Sequence, residues 1–297
     1  MWGSPMYKRI IVAVGDYPEW DAPVENAIAL AAYTEAELWL LRALAVPFVA
    51  SAPDMVASST LAMEQSLLAN EHILGQAMLA AKQAGVSSHG LLRWGTVAEM
   101  LMQTAEEIDS DLLIVGAPSC PGWWRPLSGY LARKLLTQVS RPLLVVTSPP
   151  PVTYGAPLWP RLLTVHDGSV EAEQAVAYAT RLADAEGLEL CEAVVGRAWH
   201  ALRSAAREAM EHTYQDNASP RAPEAALATN CRTVAVPHYD AAALLEVATT
   251  MQCDALVLKA SHAGGWYRFR HTQVRNTLLK TSDLPLFLIP RGDHASA

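Results

Sequence analysis

The sequence predicts an α/β chain of two tandem, doubly wound domains, each on a five-stranded parallel sheet. Three observations predict it. Short, near-continuous runs of β-branched residues and leucine alternate with segments of helical length and period, the pattern of parallel strands covered on both faces by helices. The chain has 297 residues, more than one typical domain. The second half also repeats the first. "GWWR" at 122–125 returns as "GWYR" at 265–268, and a proline follows each glycine by 20 residues, Pro142 after Gly122 and Pro285 after Gly265.

In chain order, the first half reads as strand 9–14, helix from about 23 to 33, strand 37–43, a long helix, strand 88–93, a helix, strand 112–115, a helix and strand 142–146. The second half supplies five more apolar runs, "RLLTVH", "LELCEAVV", "CRTVAVP", "ALVLK" and "LPLFLI", again separated by helical segments. Residues 47–56 and 215–225 read as loops. The proline-rich "TSPPPVTYGAPLWP", 147–160, has no hydrophobic periodicity and reads as a linker. The expected domains are 1–148 and 161–297, with 149–160 between them.

Composition sets the broad class. Hydrophobic residues make up 51% and charged residues 18%, enough apolar surface to offset the entropy of ordering. The formal net charge of -8 disfavours a nucleic-acid partner. Cys120, Cys191, Cys231 and Cys253 form no CxxC pair and no metal-ligand spacing, so reduced thiols are expected, with neither zinc nor a disulfide framework. "MWGSPMYKRI" has no signal-peptide pattern and no apolar run is long enough to span a bilayer, which makes a cytoplasmic, membrane-free protein the expectation.

Several segments resemble the universal stress protein family in its tandem form. "LLTVHDGSVEAEQAVAYATRLA" is similar to that family's first strand running into Asp-Gly-Ser. "RIIVAVGDYPEWDAPVENAIALA" is similar too, with Gly15-Asp16 where Asp-Gly is expected, and "WGTVAEMLMQTAEEIDSDLLIVGAPS" resembles the family's third helix and fourth strand. The resemblance implies a Rossmann-like fold of the adenine nucleotide alpha hydrolase type. It also implies adenine nucleotide binding, ATP or AMP, in some members, through G-x-x-G, nine residues, then G-[S/T]. In the first half Gly116 and Gly129 match, while Ser119 and Tyr130 replace a glycine and the hydroxyl residue. In the second half Lys259, His262, Thr272 and Gln273 occupy those places, although Gly265 and Arg268 still match the intervening Gly122 and Arg125.

In a doubly wound sheet, ligands sit beyond the carboxyl ends of the strands where strand order reverses, here between the first and fourth. In the first half this rule gathers Gly15, Asp16, Gly116, Ser119, Gly122, Ser128, Gly129 and Tyr130, which read equally well as a nucleotide site and as turn and cap residues. In the second half it gathers His166, Asp167, Gly168, Ser169, Lys259 and His262. That set suits an anion site with Lys259 supplying the charge, or a metal site on His166, Asp167 and His262. The preferred reading is an Asp167–Lys259 ion pair filling a vacated pocket.

Trp123, Trp124 and Trp266 read as a lid, interface anchors or helix-end cover, and the basic-aromatic run 266–275 as a solvated or interface face. There is no G-x-S-x-G elbow and no Walker-type loop. The expected function is therefore a regulatory or binding module of the stress response with no turnover of its own. The alternatives are an interaction scaffold that binds no nucleotide, and a weak ATPase or other phosphoryl-handling enzyme. The expected partners are the chain's own other half, as an intramolecular pseudo-dimer, and a second copy or another protein.

Overall fold

A computed structural model describes residues 6–15, 22–44, 53–117, 135, 138–150, 156–196, 231–260 and 266–290, excluding the side chains of 53–62 and 266–271. The chain divides into two compact units, Met1–Leu158 and Trp159–Ala297. The first contains β1 (Arg9–Ala13), α1 (Ala22–Thr34), β2 (Glu37–Leu44), α2 (Pro53–Gln83), β3 (Ser88–Trp94), α3 (Val97–Glu107), β4 (Leu112–Gly116) and β5 (Leu143–Val146). The second contains β6 (Arg161–His166), α4 (Val170–Glu186), β7 (Glu189–Val195), β8 (Cys231–Val236), α5 (Ala241–Thr250), β9 (Ala255–Lys259), α6 (Trp266–Thr281) and β10 (Leu286–Ile289). The helix expected before β5 and the loop expected at 215–225 lie outside the described residues, apart from positions 135 and 138.

Every strand pair within a unit is parallel. The orders are β3-β2-β1-β4-β5 and β8-β7-β6-β9-β10, so strand order reverses at β1/β4 and at β6/β9. The apolar runs form the inner strands: β4 and β9 are buried at every position. Two strands depart from the near-continuous apolar reading. β3 and β8 are only partly buried, because each lies at an edge of its sheet and carries polar residues such as His89, Arg93, Arg232 and Thr233. The loop expected over 47–56 ends sooner, since α2 begins at Pro53. Proline costs nothing at a first helical position, where its missing N–H would have no partner and its φ is preset.

The duplication extends to individual bonds at the amino ends of the strands. Arg9 stands opposite Glu37 on β1/β2, and Arg161 opposite Glu189 on β6/β7. The Glu37 N–H donates to the Lys8 carbonyl and the Glu189 N–H to the Pro160 carbonyl, each at 2.8 Å. Asp111 Oδ2 accepts the N–H groups of Lys8 and Arg9 at 2.7 and 2.8 Å, and Asp254 Oδ2 accepts that of Arg161 at 2.9 Å. Two residues before these aspartates, Asp109 (φ 50°) and Gln252 (φ 54°) turn the chain through the left-handed region from helix to strand. A numbering shift of 152 relates Arg9 and Glu37 to Arg161 and Glu189, and one of 143 relates Asp109 and Asp111 to Gln252 and Asp254. The second unit is therefore nine residues shorter between its second and third strands.

Removing the carboxylate from this clasp strands main-chain donors at the edge of the core. Asp111→Ala and Asp254→Ala are each expected to lower the stability of their own unit by about 1–3 kcal/mol, read as a shift in urea midpoint. Equal melting of variant and wild type would show that the clasp contributes nothing.

Candidate functional site

Each reversal of strand order opens a crevice at the carboxyl ends of two neighbouring strands. In the first unit, Gly15 follows β1 and is buried, while Gly116 ends β4 opposite Val146. The Val14 N–H donates to the Leu41 carbonyl at 2.8 Å, and the Ala117 N–H to Val146 at 2.6 Å, which holds both strand ends in the sheet. Asp16, Ser119, Gly122, Ser128, Gly129 and Tyr130 lie outside the described residues, as do Trp123 and Trp124. Of the first-half set, the structure thus places Gly15, just after β1, and Gly116, at the end of the adjacent strand β4. Sequence reading missed Arg42, a buried guanidinium on β2. Its Nη1 donates to the Val14 carbonyl at 3.0 Å and its Nε to Asn70 Oδ1 of α2 at 2.6 Å. A lone arginine inside the apolar run "ELWLLRAL" was the available signal.

In the second unit the chain turns sharply after β6. Gly168 has φ 82°, a conformation open to glycine because it lacks a Cβ. Asp167 Oδ1 accepts the Ser169 N–H at 3.0 Å, an Asx turn, and the Ser169 hydroxyl at 2.6 Å. Ser169 caps α4, its Oγ accepting the Ala172 N–H at 3.2 Å. Lys259, the last residue of β9, enters this turn from the neighbouring strand. Its Nζ binds Asp167 Oδ2 and donates to Ser169 Oγ at 2.7 Å. One donor and two acceptors use the whole bonding capacity of the serine hydroxyl.

The Lys259 and Asp167 side chains are 5% and 10% exposed, so this is an interior ion pair rather than a surface one. Burial by itself pushes the Asp167 carboxyl up, but the Lys259 ammonium and the two Ser169 donors prevail and hold it below the ordinary aspartate value. Lys259 stands where Gly116 stands in the first unit: the Ala260 N–H donates to the Ile289 carbonyl as the Ala117 N–H does to Val146. A side chain with its counter-ion thus occupies the second crevice at the position where the first has a hydrogen atom.

Three further groups border the second crevice. His166 ends β6, and its Nδ1 is buried without a hydrogen-bond partner among the described residues. The Tyr239 phenol is pushed up, chiefly by burial and then by the Asp167 charge, with Arg275 opposing. Arg275 of α6 is 7% exposed, donates from Nη1 to the Ala260 carbonyl, and has no partner at Nε among the described residues. Burial lowers its guanidinium, against the pull of Tyr239. Tyr239 escaped the sequence reading, whereas Arg275 closes the run 266–275 that was expected to be a solvated or interface face and is instead buried, its guanidinium drawn to the Ala260 carbonyl. Gly168 and Ser169 act through turn and cap, and His262 lies outside the described residues. Among the described residues, no three His, Cys, Asp or Glu side chains are grouped as a metal site requires, and no helix is long and apolar enough to cross a membrane.

With this geometry in view, comparison with known proteins is specific. The profile of the Universal stress protein family matches residues 6–147 and again 159–290. A universal stress protein of Methanocaldococcus jannaschii is 26% identical over 150 residues, covering 50% of this chain and 86% of the relative. The crystal structure of a universal stress protein from Archaeoglobus fulgidus superposes with a TM-score of 0.67 at 14% identity, covering 97% of each chain. A functionally unknown protein from Pseudomonas aeruginosa superposes with a TM-score of 0.59 at 16% identity, covering 97% of this chain and 94% of its own. At these identities the two structures speak for the fold.

Breaking the buried pair should be costly and should reverse its pH response. Lys259→Met leaves Asp167 buried without its cation and is expected to destabilise the second unit by about 3 kcal/mol. In the wild type, the Asp167 contribution is present above the ordinary aspartate pKa of about 4 and is lost as pH falls through the lower folded value. In Lys259→Met burial raises the folded pKa above the ordinary value instead, so the variant should gain stability as pH falls through that raised pKa toward about 4. Urea melts across this range check it. Parallel pH profiles for the two proteins would refute the assignment.

Proposed function

This chain belongs to the universal stress protein family, and from that premise we propose that it is a binding module whose two crevices have diverged. The first takes an adenine nucleotide, ATP or AMP. The second is closed by its own side chains, and the chain catalyses no turnover. One observation carries this reading: Lys259, bonded to Asp167 and Ser169, ends its strand at the position where the first unit has Gly116, which carries no side chain. Glycine there allows the backbone to approach a phosphate, whereas a lysine side chain occupies the same space. Gly15 and Gly116 border the proposed site, and the further residues that the resemblance assigns to it, Asp16, Ser119, Gly122, Ser128, Gly129 and Tyr130, lie outside the described residues.

The second crevice supports one other reading, a small-anion site. It is favoured by Arg275, a buried cation whose Nε lacks a partner among the described residues. A phosphate bound there would satisfy that nitrogen, and Arg275→Met would abolish the binding.

Equilibrium dialysis with labelled ATP and AMP tests the main reading. One nucleotide per chain is expected, with the radiolabel recovered unhydrolysed. Gly116→Lys should abolish binding, and Lys259→Met should leave it within about twofold, a change below 0.5 kcal/mol. Binding that survives Gly116→Lys and disappears in Lys259→Met would overturn the assignment.

A further inference from the structure

The outer face of α2 carries exposed apolar bulk. The helix packs on β2 and β3 and buries Leu74, Ala77 and Ala81, spaced as one face of a helix. On the side away from that face run Glu64, Leu68, His72, Gly75, Leu79 and Lys82, at intervals of three and four residues. All six are exposed, Leu68 and Leu79 to the extent of 65% and 54%. Gln76 Nε2 donates to His72 Nε2 at 3.1 Å and so steadies the imidazole. A methyl group on Gly75 would meet no atom among the described residues within 4 Å, the helix's own backbone aside. The packing of the first unit therefore does not call for a glycine there, where it weakens a helix relative to alanine.

We propose that this face is a homodimer interface, in which the α2 helices of two copies pack antiparallel about a twofold axis between residues 73 and 74. The charges of the stripe select that partner and that direction. The stripe opens with an acid, Glu64, and closes with a base, Lys82. Antiparallel copies bring Glu64 level with the partner's Lys82 to within one residue's rise, about 1.5 Å, and Lys82 with the partner's Glu64. Parallel copies would set like charges together. Among the described residues, neither side chain is ion-paired within its own chain.

The same axis fits the uncharged positions to one another. It sets Leu68 against the partner's Leu79, and His72 against the partner's Gly75, a ring over backbone that has no Cβ. Large side chains thus meet apolar bulk or a gap, as interlocking helices require. The interface is isologous, so each contact occurs twice and four leucines leave water together. A glycine near the axis lets the two backbones approach, which gives Gly75 the role that its own unit does not. The stripe is only about three turns long between its leucines, at the small end for a specific interface, and the affinity expected of it is micromolar.

Sedimentation equilibrium of the full chain, with cysteine trapping to fix the register, tests this. The wild type should be dimeric at about 100 μM and Leu68→Lys monomeric. Glu64→Lys and Lys82→Glu should each weaken the dimer about tenfold at low salt, and the two together should restore it to within about threefold. Leu68→Cys protein mixed with Leu79→Cys protein should cross-link on mild oxidation. Leu68→Cys alone should not, because the two copies of position 68 lie about 16 Å apart in this register. Every substituted side chain is exposed, and an unchanged urea midpoint shows that each variant folds. A wild type that is monomeric at about 100 μM would overturn the proposal and leave the stripe to another protein or to solvent. A dimer that survives Leu68→Lys, or a double charge variant weaker than either single one, would overturn it too.

Discussion

A lysine ammonium at the end of a fully buried strand is tolerable only when a carboxylate meets it, because desolvation of a lone charge costs several kcal/mol. Lys259 ends β9 in that situation, and Asp167 reaches it from the turn after β6. Much of the local architecture follows from that meeting. The Asx turn fixes the carboxylate, Gly168 allows the chain to bend sharply enough to present it, and Ser169 joins the pair to the helix by capping α4 with the same oxygen that accepts from Lys259. The bonds are mutually supporting, so none of the three side chains can be exchanged without leaving another buried group unsatisfied.

The two units share their amino ends and differ at their carboxyl ends. At the amino ends, Asp111 and Asp254 each accept the N–H of the first residue of their unit's first strand, Arg9 and Arg161, and Asp109 and Gln252 make the same left-handed turn. These are requirements of folding, and duplication carried them into both halves. At the carboxyl ends the second unit has Lys259 at the position of Gly116 in the first, and Arg42 secures the Val14 carbonyl whereas Arg275 secures that of Ala260. A packed parallel sheet limits what may change in its core, while side chains beyond its strand ends are free to vary with the ligand.

Much of this was legible in the sequence. Uninterrupted apolar runs such as "LLIVG" and "ALVLK" marked the buried inner strands, and the paired "GWWR" and "GWYR" with their prolines marked the duplication. The edge strands β3 and β8 were weaker, because one-sided burial leaves charged residues such as Arg93 and Arg232 in the run. Side chains that meet from distant segments were the least legible. Arg42 with Asn70 and Arg275 with Ala260 have no spacing rule that joins them, since the contact exists only once the chain is folded. The start of α2 was misjudged because Pro53 reads as a loop residue until its first-turn position is seen.

Crystals grown with saturating ATP would test the central claim most directly, by showing what fills each crevice. The account predicts nucleotide density beside Gly15 and Gly116 in the first unit, and in the second only the side chains of Lys259, Asp167 and Ser169 bonded to one another. Nucleotide density beside Lys259, with its ammonium drawn away from Asp167 toward a phosphate, would contradict it.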